Sequence, residues 1–386
     1  MNGVVVVTGL GIVSPAGLGL RDYWAQACGA GTEHRPGGTA AATRDPLWPA
    51  GALSGPAVHE HLWGRPAPQA DRMARLALAA ADWALADAGI RPQDLPDFGP
   101  DAVTAVAAAA AAAAPVGGRG AGSWSGGGFG PRTTYRPGGL GRPGGPAGRQ
   151  SGAYRSFAWF YAVSSGQISV RDAMIGLDAV AYARRQIRQG GRLMVSGGVD
   201  APVCPSAGTQ QTAAVRPGGG ALLVLETAGT ALARGAKMYG EVAGYGATFD
   251  PDRTAGREPG LRRALELALA DASAVPGEVD AVFVPGVDAA EAAAVTAVFG
   301  VHGVPVTAPR TVPGRRHPGA AAPLDLAAAL LAMEEGLIPP TAEPPPSPGY
   351  DLNLVLTPRT AELRTTVVLA RGHGGFNSAV VLRTVE

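Results

Sequence analysis

"VVVVTGLGIVSP", Val4–Pro15, opens the chain and returns in altered form as "YGEVAGYGATFD", Tyr239–Asp250. Gly9 and Gly11 of the first stretch stand where Gly244 and Gly246 stand in the second. β-Branched residues suit a pleated strand, and a Gly-x-Gly pair at its end predicts a tight turn or a close packing contact. A helix follows each copy. "DRMARLALAAADWALADAGI", from Asp71, carries Met73, Leu76, Ala80, Trp83 and Ala84 at helical spacing. "GLRRALELALADASAV", from Gly260, does the same with Leu261, Leu265, Ala268 and Leu269. After each helix come an acidic loop and a short apolar strand, "DAVTAV" or "VDAVFV". One strand–helix–strand unit is therefore used twice, and a duplication of this kind fixes an α/β architecture built from two similar halves.

The Gly-x-Gly pair is not a dinucleotide fingerprint. A third glycine is missing, since Ser14 follows Ile12 and Val13, and no helix is expected to start at the turn. Of the 386 residues 46% are hydrophobic, enough for a large core or two fused α/β units. Basic residues number 32 against 31 acidic ones, which argues against nucleic acid as a partner. The only cysteines are Cys28 and Cys204, too few for a disulfide framework or a zinc site, and both read as small buried hydrophobes. His59, Glu60 and His61 sit together in "VHEHLWG" without a third ligand nearby, so no metal is expected. The N-terminus lacks the basic region of a signal peptide, and no apolar run is long enough to span a membrane, so a cytoplasmic location is the expectation.

Near the C-terminus, "TTVVLARG" and "SAVVLRTV" read as the two strands of a hairpin joined by "GHGGFN", residues 372–377. A glycine-dense turn holding an Asn between two buried strands is a candidate site wall, with a plain hairpin turn as the alternative.

Four stretches together resemble the thiolase-fold β-ketoacyl synthases, and within them the ketosynthase β subunits, or chain length factors, of bacterial type II aromatic polyketide synthases. They are "VVVVTGLGIVSPAGLGLRDYW" from Val4, "YRSFAWFYAVSSGQISVRDAM" from Tyr154, "LMVSGGVDAPVCP" from Leu193, and the tail from Met238 to "ARGHGGFNSAVVLR". The resemblance implies a five-layer αβαβα fold of two duplicated halves. These are expected at residues 1–235 and 236–386, with apparent deletions in the first.

In the family's active subunits a Cys sits at a strand-to-helix elbow, where the helix N-terminus lowers its pKa. Here "GLDAVAYARRQIRQG", from Gly176, is the helix, with Leu177, Val180, Ala181 and Ile187 on one face. The chain passes from "VRDAM" straight to "IGLDAV". Neither the Cys nor the Gln that chain length factors carry in its place has a counterpart. The elbow strand, expected to be central in its sheet, is cut short. Where the family's first catalytic His belongs, "VPGVDAAEAAAV" keeps Asp288 and Glu291 without a His. Where the second should follow Gly314, the residue is Arg315, as in chain length factors, and His317 is displaced.

No catalytic residue and no cofactor are therefore assigned. Gly372, His373, Gly374, Gly375, Phe376, Asn377 and Arg315 are expected to wall a vestigial pocket or tunnel. Trp159, Phe160, Tyr161 and Gln167, in an aromatic-rich stretch, are interface candidates. The resemblance implies an α ketosynthase partner in a heterodimer, an acyl carrier protein, and a role in shaping the polyketide tunnel and so setting chain length. A divergent condensing enzyme or a malonyl-carrier decarboxylase stays open as an alternative, the latter because decarboxylation needs an oxyanion site rather than a nucleophile. A degenerate product without activity is the third. Residues 107–150, an Ala run followed by a Gly/Pro/Arg mixture, lack any apolar period and read as irregular. Such a mixture is also what a GC-rich reading frame yields when shifted.

Overall fold

The computed structural model of the chain describes residues 3–14, 17–29, 72–91, 103–108, 176–200, 219–250, 260–309, 321–342, 350–371 and 375–385. Its strands are β1 (Val5–Ser14), β2 (Gly17–Leu18), β3 (Val103–Ala108), β4 (Leu193–Asp200), β5 (Gly219–Thr227), β6 (Gly240–Phe249) and β7 (Ala281–Phe283). They continue with β8 (Pro305–Thr307), β9 (Leu337–Ile338), β10 (Asn353–Leu354), β11 (Arg359–Thr360), β12 (Thr365–Arg371) and β13 (Phe376–Arg383). The α-helices are α1 (Leu20–Ala27), α2 (Arg72–Asp87), α3 (Gly176–Arg188), α4 (Ala228–Ala233), α5 (Leu261–Asp271), α6 (Ala289–Phe299) and α7 (Ala321–Glu335).

β1 does not turn at Gly9 and Gly11. It runs through them as a fully buried ten-residue strand, and the glycines serve close packing instead. A Cβ on Gly9 would lie 2.1 Å from the Ala84 carbonyl oxygen, and one on Gly11 would lie 1.7 Å from that of Ala80. Helix α2 thus lies backbone against backbone on β1, which no larger residue allows. The second copy repeats this atom for atom. Gly244 and Gly246 lie inside β6, and their Cβ atoms would stand 2.2 and 2.1 Å from the carbonyl oxygens of Ala268 and Ala264 on α5. Both copies also interrupt the ladder one residue before the first glycine, skipping Thr8 in β1 and Ala243 in β6. In both, the aspartate that ends the helix accepts the N–H of the residue between the glycines. Leu10 donates to Asp87 at 2.8 Å, and Tyr245 to Asp271 at 3.0 Å.

The strands pair in the order β10-β8-β7-β12-β13-β6-β1-β5-β4-β3, with β2 added to β1. β1 and β6 meet only at their first residues, through Val6↔Glu241 and Val7↔Gly240. From that seam the two halves of the sheet diverge, and α3 and α7 fill the space between them. Period-two alternation sorts the side chains: Val368, Ala370, Val380 and Leu382 face this central layer, while Val367, Leu369, Ala379 and Val381 face α5 and α6. Every residue of α7 from Ala322 to Met333 is buried, as befits a helix enclosed on all sides. With α2 outside the first half and α5 and α6 outside the second, the layers run αβαβα.

Three expectations need correction. In the second copy, the third strand, β8, lies outside β7, with only the two-residue β10 beyond it. By the repeat, a strand preceding α3 would belong outside β3, at an edge of the sheet and not at its centre. β3 also runs two residues into the Ala run, because Ala107 and Ala108 pair in register with Gly197 and Gly198 of β4. On α3 the buried face takes Ala183 and Arg184, while Ala181 is half-buried.

Candidate functional site

The parallel strands β7 and β12 end on the same side of the sheet, beside the end of β6 and the start of β13. Carboxyl ends of parallel strands are where α/β folds place their ligands. Phe376 and Asn377 already belong to β13, so the hairpin turn is shorter than "GHGGFN". Asn377 is buried, and its amide nitrogen donates to Asp250 Oδ2 at 2.8 Å, to the Gly375 carbonyl at 3.2 Å and to Thr248 Oγ1 at 3.3 Å. The Asp250 carboxylate in turn accepts the Gly260 N–H at the start of α5 with both oxygens, at 3.0 and 2.9 Å. Gly375 has a φ of 98°, and a Cβ there would sit 1.8 Å from the Asp250 carbonyl oxygen, so only glycine fits. Beside this knot the Phe376 and Phe249 rings meet at 4.7 Å, and Phe249 is 53% exposed.

Arg371 ends β12 directly opposite Asn377 in the ladder. Its Nη1 reaches Asp288 at 3.0 and 3.2 Å and Glu291 Oε1 at 3.2 Å. Asp288 is also the N-cap of α6, accepting the N–H groups of Ala290 and Glu291. Glu291 is fully buried. The stretch in which a histidine base was expected therefore carries a fixed ion cluster.

Helix α3 is riveted to the second half. Asp178 Oδ1 accepts the Tyr245 hydroxyl at 2.7 Å and the Ser378 hydroxyl at 2.6 Å. Burial raises the Asp178 carboxyl above the usual range, against the two donors that lower it. Burial first, then the Asp178 charge, pushes the Tyr245 phenol up. Arg184 donates to the Ala243 carbonyl at 2.5 Å and pairs with Asp271 at 2.7 Å. Cys28 caps the C-terminus of α1, and burial, followed by the Glu335 charge, pushes its thiol up to about 11. A thiol protonated at neutral pH is a poor nucleophile.

Of the expected pocket residues, Gly375, Phe376 and Asn377 come together here. Gly372, His373, Gly374, Arg315 and the interface candidates Trp159, Phe160, Tyr161 and Gln167 lie outside the described residues, as do Cys204, His317, His59 and His61. Among the described residues no group of His, Cys, Asp and Glu could hold a metal ion, and no helix is long and apolar enough to cross a membrane.

The beta-ketoacyl synthase N-terminal domain matches residues 2–216, and the C-terminal domain matches residues 239–344. The chain belongs to the beta-ketoacyl synthase family. The chain is 42% identical to the actinorhodin polyketide beta-ketoacyl synthase 2 of Streptomyces coelicolor, over 98% of each chain. It is 40% identical to the tetracenomycin polyketide synthase ketoacyl synthase beta subunit of Streptomyces glaucescens, again over 98% of each. In fold it matches the ishigamide ketosynthase/chain length factor with a TM-score of 0.71 and 24% identity, over 99% of both chains.

Arg371, Asp250, Asp178 and Tyr245 carried no signal in the sequence that singled them out. The one-turn spacing of Asp288 and Glu291 was a readable sign of a shared partner. Arg371, 80 positions beyond Glu291, carried no local pattern that named it as that partner.

Proposed function

We propose that this chain is a ketosynthase-like subunit that pairs with an active α ketosynthase, works with an acyl carrier protein, and shapes the pocket in which a poly-β-keto chain grows and stops. The observation that carries this is the lack of any sulfur nucleophile at the approach to α3: residues 161–185 contain no Cys. The names of the relatives support it, as does the ion cluster at the place of the first catalytic base. A pocket wall limits length by volume, since growth past a filled pocket costs about 1–3 kcal/mol or more in overpacking. We also place the division between halves at 235/236 and the protein in the cytoplasm.

The decarboxylase alternative gains nothing from Asn377, whose amide is spent on Asp250, Gly375 and Thr248. The test is co-expression with an α ketosynthase, followed by size exclusion and product analysis with a loaded carrier protein. A heterodimer whose polyketide disappears when this chain is omitted is the expected result. Two separate peaks, or carbon dioxide released from malonyl-carrier by this chain alone, would reject it.

A further inference from the structure

The facing ends of β12 and β13 are tied down by different chemistry. Asn377 ties the β13 end to β6 and α5 through neutral and charge-assisted hydrogen bonds. Arg371 ties the β12 end to the N-terminus of α6 through ion pairs. The Asn377 end is well satisfied. The Arg371 end is not: Glu291 Oε2 and Arg371 Nε are buried with no hydrogen-bond partner. Buried polar groups are normally paired and half-satisfied networks are costly, so this clamp holds its geometry at a cost in stability. Local rules of this kind are broken chiefly at functional sites.

The clamp also has something to position. Asn377 lies across the ladder from Arg371, and Phe376, next to it, packs on the half-exposed ring of Phe249. An aromatic pair with one open face at the carboxyl ends of the strands is suited to meet an apolar or partly unsaturated chain. Moving β12 relative to α6 would move this pair, because the β12–β13 ladder transmits the shift. We propose that Arg371 is a positioning residue for chain length: by locking β12 to Asp288 and Glu291 it holds the Phe249–Phe376 wall at one depth, and thereby selects the size of polyketide that the complex releases. This rests on the subunit function proposed above.

The test is the heterodimer reconstituted with carrier protein and malonyl units, its products sized by mass spectrometry. Arg371→Met breaks the clamp. Arg371→Met combined with Glu291→Gln breaks it without stranding a buried carboxylate. Arg371→Lys keeps the charge and one donor nitrogen, which suffices because Nη1 alone makes the ion pairs. Pairing should survive, while the ratio of native-length to other products falls about tenfold in both Met variants, equivalent to about 1.4 kcal/mol. Arg371→Lys should recover most of the ratio. An unchanged product distribution in the Met variants overturns the proposal. So does loss of pairing in all three variants, which would make Arg371 a support of the whole fold. If the wild-type chain yields no polyketide with its α subunit, the subunit function fails instead, and the two failures are thus distinct.

Discussion

The two copies of the repeat agree wherever backbone meets backbone and part company on the outer face of the first helix. Each places two glycines under helix carbonyls, skips one residue of the ladder, and ends its helix on an aspartate that takes an N–H from the strand. Two residues before Ala84 on α2 stands Asp82; two before Ala268 on α5 stands Glu266. Asp82 is buried, with neither oxygen bonded, and burial pushes its carboxyl up to about 8. Glu266 pairs with Arg262 at 2.9 Å and Arg263 at 3.4 Å, and the Arg262 hydrogen bond holds its carboxyl below the usual range. Duplication preserves what the close-packed interface dictates, while what the helix turns outward follows each copy's own surroundings.

The largest effect should come from breaking what is shared. Gly11→Val and Gly246→Val each drive a side chain into a helix carbonyl, at 1.7 Å from Ala80 and 2.1 Å from Ala264, before the extra methyls are counted. Backbone cannot step aside as a side chain can, so each should cost about 3 kcal/mol or more. Urea denaturation, or the soluble yield where no folded protein is recovered, reads this out. If one copy accepted valine while the other did not, their equivalence would be lost.

The shared features were the legible ones. Gly9, Gly11, Gly244 and Gly246 announce themselves because glycine inside a β-branched strand needs a reason. Leu261, Leu265, Ala268 and Leu269 announce their helix by period, and the structure buries all four. What was misread or left open depended on contacts between distant segments. The Gly-x-Gly stretches left a turn and a close packing contact both open, because the helix that demands them lies some seventy residues on in the first copy, as with Leu10 and Asp87, 77 apart. That the repeat calls for an edge position before α3 follows from the place of β8 in the sheet order, which no local pattern encodes. At the candidate site, Asp288 and Glu291 were visible as a pair, but the arginine between them was not. Asn377 was visible as a polar residue in an apolar hairpin, without its debt to Asp250.

A smaller effect should separate the copies by pH. Asp82 in the folded chain titrates near 8, against 3.8 for an ordinary aspartate. Between those values the folded state holds a proton that the unfolded state has released. Stability is then fully present below about 4 and declines as pH rises toward the folded value, levelling off above it. Asp82→Asn removes the titration while keeping the shape. It should leave stability at pH 3 nearly unchanged and raise it at pH 9 by roughly 2–5 kcal/mol relative to wild type. Urea midpoints at the two pH values measure it, and parallel declines in both proteins would show that Asp82 is solvated after all.

The smallest effect belongs to the counterpart. Glu266 sits on an open helix face with 34% of its side chain exposed, and its partners Arg262 and Arg263 are more exposed still. Pairs of this kind are screened by water and salt and contribute about 0.5 kcal/mol or less. Because the folded value is lowered, whatever Glu266 adds is present at neutral pH and lost only as pH falls below the ordinary carboxylate range. Glu266→Gln should therefore shift the urea midpoint barely at all at pH 5, 7 or 9, and what shift there is should shrink with added salt. A pH slope as steep as that of Asp82 would mean that α5 is covered in solution as α2 is, and the contrast between the copies would vanish.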